Sequence, residues 1–172
     1  MPNTKPVGVA FSDPELTAGT TITGAVIDST TCAASNIIQG ASSQVQGATI
    51  TTTGNSDAYI IAPFSGVLSA AIFSGVDALS TSDINYITFT LTNLGQAGAG
   101  TTVMLAATDA NTTKTTGGAA LSANTRRNLS LNGTAANLVV ARGDRIRIRA
   151  AATGTLANTV TFPVYSLIWA TA

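Results

Sequence analysis

The 172-residue sequence contains no histidine, which removes imidazole as general base, proton shuttle or metal ligand. A Ser-His-Asp triad is therefore excluded, and no Ser-x-x-Lys or Gly-x-Ser-x-Gly motif replaces it. The single cysteine, Cys32, has no partner for an intrachain disulfide, which excludes a cysteine-stapled secreted scaffold. A small buried apolar role is expected for it. Charge is scarce as well, at 9% of residues against about 25% in ordinary soluble domains. No apolar run reaches the ~18 residues of a membrane helix. Met1-Pro2-Asn3-Thr4-Lys5-Pro6 is not followed by the apolar stretch of a signal peptide. A soluble protein made in a cytoplasm, without membrane contact, is the expectation.

What is present is small, uncharged and often β-branched. Threonine and alanine supply 29 residues each, with 16 glycines beside them. The length suits one main domain, and a compact chain of this size hides roughly 68–70% of its unfolded surface. Net charge is zero but unevenly spread. Residues 1–125 hold seven acids against Lys5 and Lys114, whereas residues 126–172 hold six arginines against Asp144. Such asymmetry fits like subunits meeting through unlike faces, or a basic face meeting an acidic partner. It fits equally well a fold in which distant charges pair internally.

The hydrophobic period is two. In Ile87-Thr88-Phe89-Thr90-Leu91-Thr92 apolar residues alternate with threonines, predicting a strand with one wet face. Asn128 to Asn132 and Arg145 to Arg149 read the same way. Gly66 to Phe73, Thr102 to Ala107, Leu138 to Ala141 and Thr159 to Ile168 are apolar on both faces. Gly-rich and Thr-rich turns separate them, giving about eight strands from Tyr59 onward. Pro163, inside the last run, predicts an edge position or a bulge. Before Asp57 the pattern weakens. Val7 to Phe11, Thr20 to Ile27 and Val45 to Thr53 are candidate strands, Pro14 marks a turn, and Thr30 to Gln46 has no clear period. We expect an all-β antiparallel sandwich of jelly-roll type over residues 57–172, preceded by an arm or extra edge strands over residues 1–56.

Three segments carry a family resemblance. They are Tyr59-Ile60-Ile61-Ala62-Pro63-Phe64-Ser65-Gly66-Val67, then Leu138 to Ile148 with its Gly143-Asp144 turn, then the apolar closing run Phe162 to Trp169. Their order resembles the trimeric jelly rolls of the tumour necrosis factor and complement globular-head type, over Tyr59 to Ala172. The overall character, without a catalytic set, is similar to that of bacteriophage capsid decoration (cement) proteins. That resemblance implies a homotrimer on a capsid exterior, made in a host cytoplasm, whose arm grips the major capsid protein. Two other roles share the fold: the receptor-binding tip of a fibre or tail, and a small jelly-roll coat protein forming the shell itself. Genome-packaging coats often begin with a basic arm, and this N-terminal third holds one lysine.

Among individual motifs, Arg142-Gly143-Asp144 invites an integrin reading. The simpler account is a tight turn with Gly143 at positive φ and Asp144 bonding nearby amides. Arg145, Arg147 and Arg149 fall on one strand face, about 6.6–6.8 Å apart in successive pairs, with Arg126, Arg127 and Arg142 as additions. Guanidinium forks suit the carboxylates of a neighbouring protein. An ordinary solvated face with local ion pairs is the competing account. A sequence pI near 6.0 and few aromatics do not favour nucleic acid. Asp13, Glu15, Asp28, Asp57, Asp77, Asp83 and Asp109 sit near turns, where backbone hydrogen bonding is the usual use. No cofactor and no metal site are expected, although a calcium site of Asp and Asn side chains is compatible with the composition. No enzymatic activity is expected. The sequons at Asn111, Asn128 and Asn132 are what a threonine-rich chain produces by chance. Tyr165, Trp169, Phe162 and Ile168 are expected in a core or at a subunit axis rather than around a ligand.

Overall fold

The computed structural model describes residues 41–171. Expectations that fall before Ala41, including the strands Val7 to Phe11 and Thr20 to Ile27, the Pro14 turn and the burial of Cys32, lie outside the described residues. The strands are β1 (Ala41–Gln46), β2 (Asn55–Ile61), β3 (Gly66–Ser74), β4 (Tyr86–Asn93), β5 (Thr102–Val103), β6 (Arg127–Leu129), β7 (Val139–Val140), β8 (Arg145–Thr153) and β9 (Val164–Ala170). Among the described residues the only helical elements are short 3-10 turns, at Asp109–Asn111 and Ala135–Leu138. No helix among the described residues is long and apolar enough to cross a membrane.

Two antiparallel sheets form. One runs β1-β9-β3-β6, with β7 added to the start of β3, and the other runs β2-β8-β4-β5. The ladders β1·β9, β2·β8, β3·β6 and β4·β5 nest inside one another, as in one long hairpin rolled up. The further pairs β9·β3 and β8·β4 close the roll. This wind is a jelly roll, so the expected sandwich is the observed fold.

Alternation explains which residues line the gap between the sheets. Ile146, Ile148 and Ala150 of β8 point inward, opposite Leu167, Tyr165 and Trp169 of β9. Phe73 ties the layers together, 4.7 Å from the Phe89 ring and 5.5 Å from the Tyr165 ring. In β3, Leu68 and Ala71 both face inward although they are three residues apart. A bulge between Leu68 and Ala70 absorbs the odd residue and keeps both halves of the strand in phase.

Two local expectations change. Strand β1 lies in the stretch that lacks a clear period, and the strand expected at Val45 to Thr53 is reduced to its first two residues plus an isolated bridge at Ile50. Ala-Ser-Ser-Gln-Val-Gln carries little hydrophobic signal. The strand is held by its ladder to β9, by packing of Ala41 and Val45 on the core, and by the Trp169 Nε1–H donating to Ser43 Oγ at 3.1 Å. The boundary at residue 57 falls inside β2, and β1 is an edge strand of its sheet. Pro163 precedes β9, and β9 lies between β1 and β3, not at an edge. Its missing N–H falls outside the ladder, so no bulge is needed. Of the four residues expected in a core or at a subunit axis, Tyr165 and Trp169 are core, Ile168 faces outward and Phe162 is 61% exposed.

Candidate functional site

Arg145, Arg147 and Arg149 stand together on the outer face of β8, because Ile146 and Ile148 take the inward positions. The register sets their neighbours. On β2, Asp57 lies opposite Arg149, Tyr59 opposite Arg147 and Ile61 opposite Arg145. On β4, Thr90 flanks Arg149 and Thr92 flanks Arg147. Arg149 grips Asp57 with two parallel bonds, Nε–H to Oδ1 and Nη2–H to Oδ2, each 2.7 Å. That fork, opposed by partial burial and reinforced by the charges of Arg149 and Arg147, holds the Asp57 carboxyl below its ordinary range. Arg145 lies with its guanidinium 4.2 Å from the Tyr59 ring centroid, a cation–π contact one diagonal away on the sheet. Arg147 Nε is enclosed and has no hydrogen-bond acceptor among the described residues.

The other candidate arginines part company with this row. Arg127 is on β6 of the opposite sheet, with its guanidinium 5.5 Å from the Phe89 ring centroid. Its Nη1 donates to the Ala119 carbonyl at 2.9 Å, and its Nη2 donates to those of Ala110 at 2.8 Å and Thr112 at 2.6 Å. Burial pushes its pKa below the usual arginine value, and the side chain clamps the long β5–β6 connection. Arg126 is exposed just before β6, and Arg142 is exposed on the turn entering β8. The structure thus joins three of the six arginines on one strand. For Arg149 the local ion pair of the competing account is present, because cross-strand pairing brings in Asp57.

The Arg142-Gly143-Asp144 segment is the tight turn. Gly143 has φ +89°, where a side chain would be strained, and Asp144 N–H donates to Ala141 O at 3.0 Å. Asp144 is buried, and its Oδ2 accepts from Ala141 N–H and Asn93 Nδ2, each at 2.9 Å. A carboxylate committed in this way is not presented to a receptor. The remaining described acids also serve local structure. Asp77 accepts from the Thr161 amide and hydroxyl, which depresses its pKa. Asp83 accepts from the Thr116 amide and hydroxyl, and Asp109 pairs with Lys114 at 2.8 Å. Asn111 is buried, with its amide bonded to the backbone of Ala106 and Ser130, so that sequon is structural. Among the described residues no cluster of three metal-ligating side chains occurs.

Beside the arginine row, the outward Tyr86, Thr88 and Thr90 of β4 and the wall Leu105–Lys114 enclose an open cleft of about 280 Å³. Lys114 closes one end, bonded to Asp109 and 4.9 Å from the Tyr86 ring centroid. Sequence reasoning missed Asp57, Tyr59 and Ile61 as members of the face. Their alternation with Ala58, Ile60 and Ala62 is legible, but nothing local says that β2 pairs with β8.

Fold and face together define an all-β jelly-roll sandwich with a basic outer strand. No family model, no curated protein and no solved structure matches the chain.

Proposed function

We propose that the protein is a structural virion component, a decoration protein that binds the major capsid protein from the capsid exterior as a homotrimer and performs no chemistry. One observation carries this reading: the two outer faces of the sandwich differ in kind. The outward residues of β1, β9, β3 and β6, among them Val67, Ala70, Ile72, Val164 and Ile168, interleave with Ser, Gln and Asn and include no charge. The opposite sheet displays Asp57 and the three arginines. A charge-free sheet face meets a copy of itself without like-charge repulsion, and a closed homomeric interface would cover it. The charged face then remains for a different protein. A protein that binds only the assembled lattice stabilises that lattice by mass action.

Light scattering on the purified chain tests self-association, with about three times 17.2 kDa expected. Electron microscopy of the source particle tests location, with density on the head shell expected. A stable monomer together with density confined to the tail would overturn the reading.

The receptor-binding tip is the second reading, and it has an observation of its own. The β1–β2, β3–β4 and β8–β9 loops are laced together at one end by Ile50–Val160, Leu156–Thr52 and Val76–Thr161 backbone bonds. Val76 and Phe162 stand exposed there at 42% and 61%, and Phe162 is held at φ +47°. An exposed aromatic in a costly backbone region is a feature that contact sites use. Tail density in the same micrographs would favour this reading.

A further inference from the structure

We infer that the outer face of β2 and β8 is a docking site for an extended acidic segment of another protein, whose carboxylates pair with Arg147 and Arg145 while its apolar side chains cover Tyr59 and Ile61. The inference names the chemistry of a partner and holds wherever in a particle, or outside one, the protein sits. Three guanidinium groups share this face with a single carboxylate, Asp57, among the described residues, and Arg149 already uses both of its oxygens. Arg147 is half-buried and has no acid partner among the described residues. Arg145 is held over an aromatic ring, and no acid among the described residues pairs with its fork. The same face leaves Tyr59 42% and Ile61 57% exposed, in register with Arg147 and Arg145. Arginine and tyrosine are the residues that dominate interface centres, and a flanking aliphatic side chain excludes water from them.

Spacing selects the partner's form. Alternate side chains on β8 repeat about every 6.6–6.8 Å, and so do alternate side chains of an extended peptide. Acids at every second position of a strand laid along β8 meet successive guanidinium forks, which match carboxylates bidentately. Phosphodiester chains fit less well, because the face offers one tyrosine whose ring already carries Arg145, and no long basic track.

The test uses the full chain and a short labelled peptide in which glutamate alternates with valine or threonine, read by fluorescence anisotropy over a salt series. Binding that weakens with salt, and that falls by about tenfold or more in Arg147→Glu and again in Arg145→Glu, is expected. Tyr59→Ser should weaken binding several-fold without changing the salt slope. Arg126→Glu, an equal charge change off this face, should leave binding within about twofold. Circular dichroism is recorded on every variant, and two independent arginine variants guard against misfolding of one. The inference is overturned by absence of peptide binding. It is overturned equally by matching losses in Arg126→Glu and Arg147→Glu, or by tighter binding of a DNA oligonucleotide of equal charge than of the peptide.

Discussion

At the scale of single residues, Asp57 shows how a cross-strand partner changes the meaning of a charge. The carboxyl is depressed in the folded state, first by the Arg149 fork. Its contribution to stability is therefore complete above the ordinary carboxylate range of about 4 and is lost as pH falls through the lower, folded-state value. Asp57→Asn should lower stability by about 0.5–1 kcal/mol at pH 7, a modest figure because both side chains are partly exposed. The difference from wild type should vanish in acid, and thermal melts at neutral and acid pH check both statements. Asp144 is a different case. Buried and bonded to Ala141 and Asn93, it fixes the turn between β7 and β8. Asp144→Ala should cost about 1–3 kcal/mol, since it leaves buried donors unpaired. Denaturant titration reads that loss directly.

At the scale of elements, β1 and the Arg127 clamp carry the most weight. Removing residues 41–56 would strip β1 from β9, uncover Trp169 and delete the first two residues of β2. A chain starting at Asp57 should therefore lose its cooperative unfolding transition, rather than persist as a domain freed of an arm. The calorimetric endotherm is the measurement. Arg127 holds three carbonyls of the β5–β6 connection, a segment with little regular ladder of its own. Arg127→Ala should cost about 2–4 kcal/mol and raise hydrogen exchange first across residues 109–120. Mass-resolved exchange separates that local opening from a global loss.

At the scale of the whole molecule, the two outer faces predict different behaviour under mutation. Ile72→Lys places a charge on the face that has none, beside Ser166 of β9 and Asn128 of β6. In the proposed trimer three such charges would meet at one interface, so the variant should be monomeric at micromolar concentration, while the circular dichroism spectrum stays unchanged. Sedimentation velocity on wild type and variant decides it. A variant that remains trimeric would place the self-association surface elsewhere on the sandwich.

Much of this architecture was legible before any coordinates. Strict alternation in β4 and β8 predicted strands with one buried face, and the inward isoleucines and outward arginines follow from the two-residue period of a pleated strand. The Gly143 turn was equally local, because positive φ and a capping aspartate are short-range chemistry. What no local signal contained was pairing. Asp57 and Arg149 are 92 positions apart and meet through the β2·β8 register. Strand β1 has too little apolar contrast to be seen until β9 supplies its ladder. Arg127, read as one more surface charge, became an internal clamp because β6 lies on the sheet opposite β8, with Phe89 beneath its guanidinium. The sequence by itself determined the two-residue period, the Gly143 turn and the wet side of β4 and β8, since those depend on neighbours along the chain. Only the tertiary structure decided which charges are neutralised and which stay open to a partner, since that depends on strands brought together across the fold.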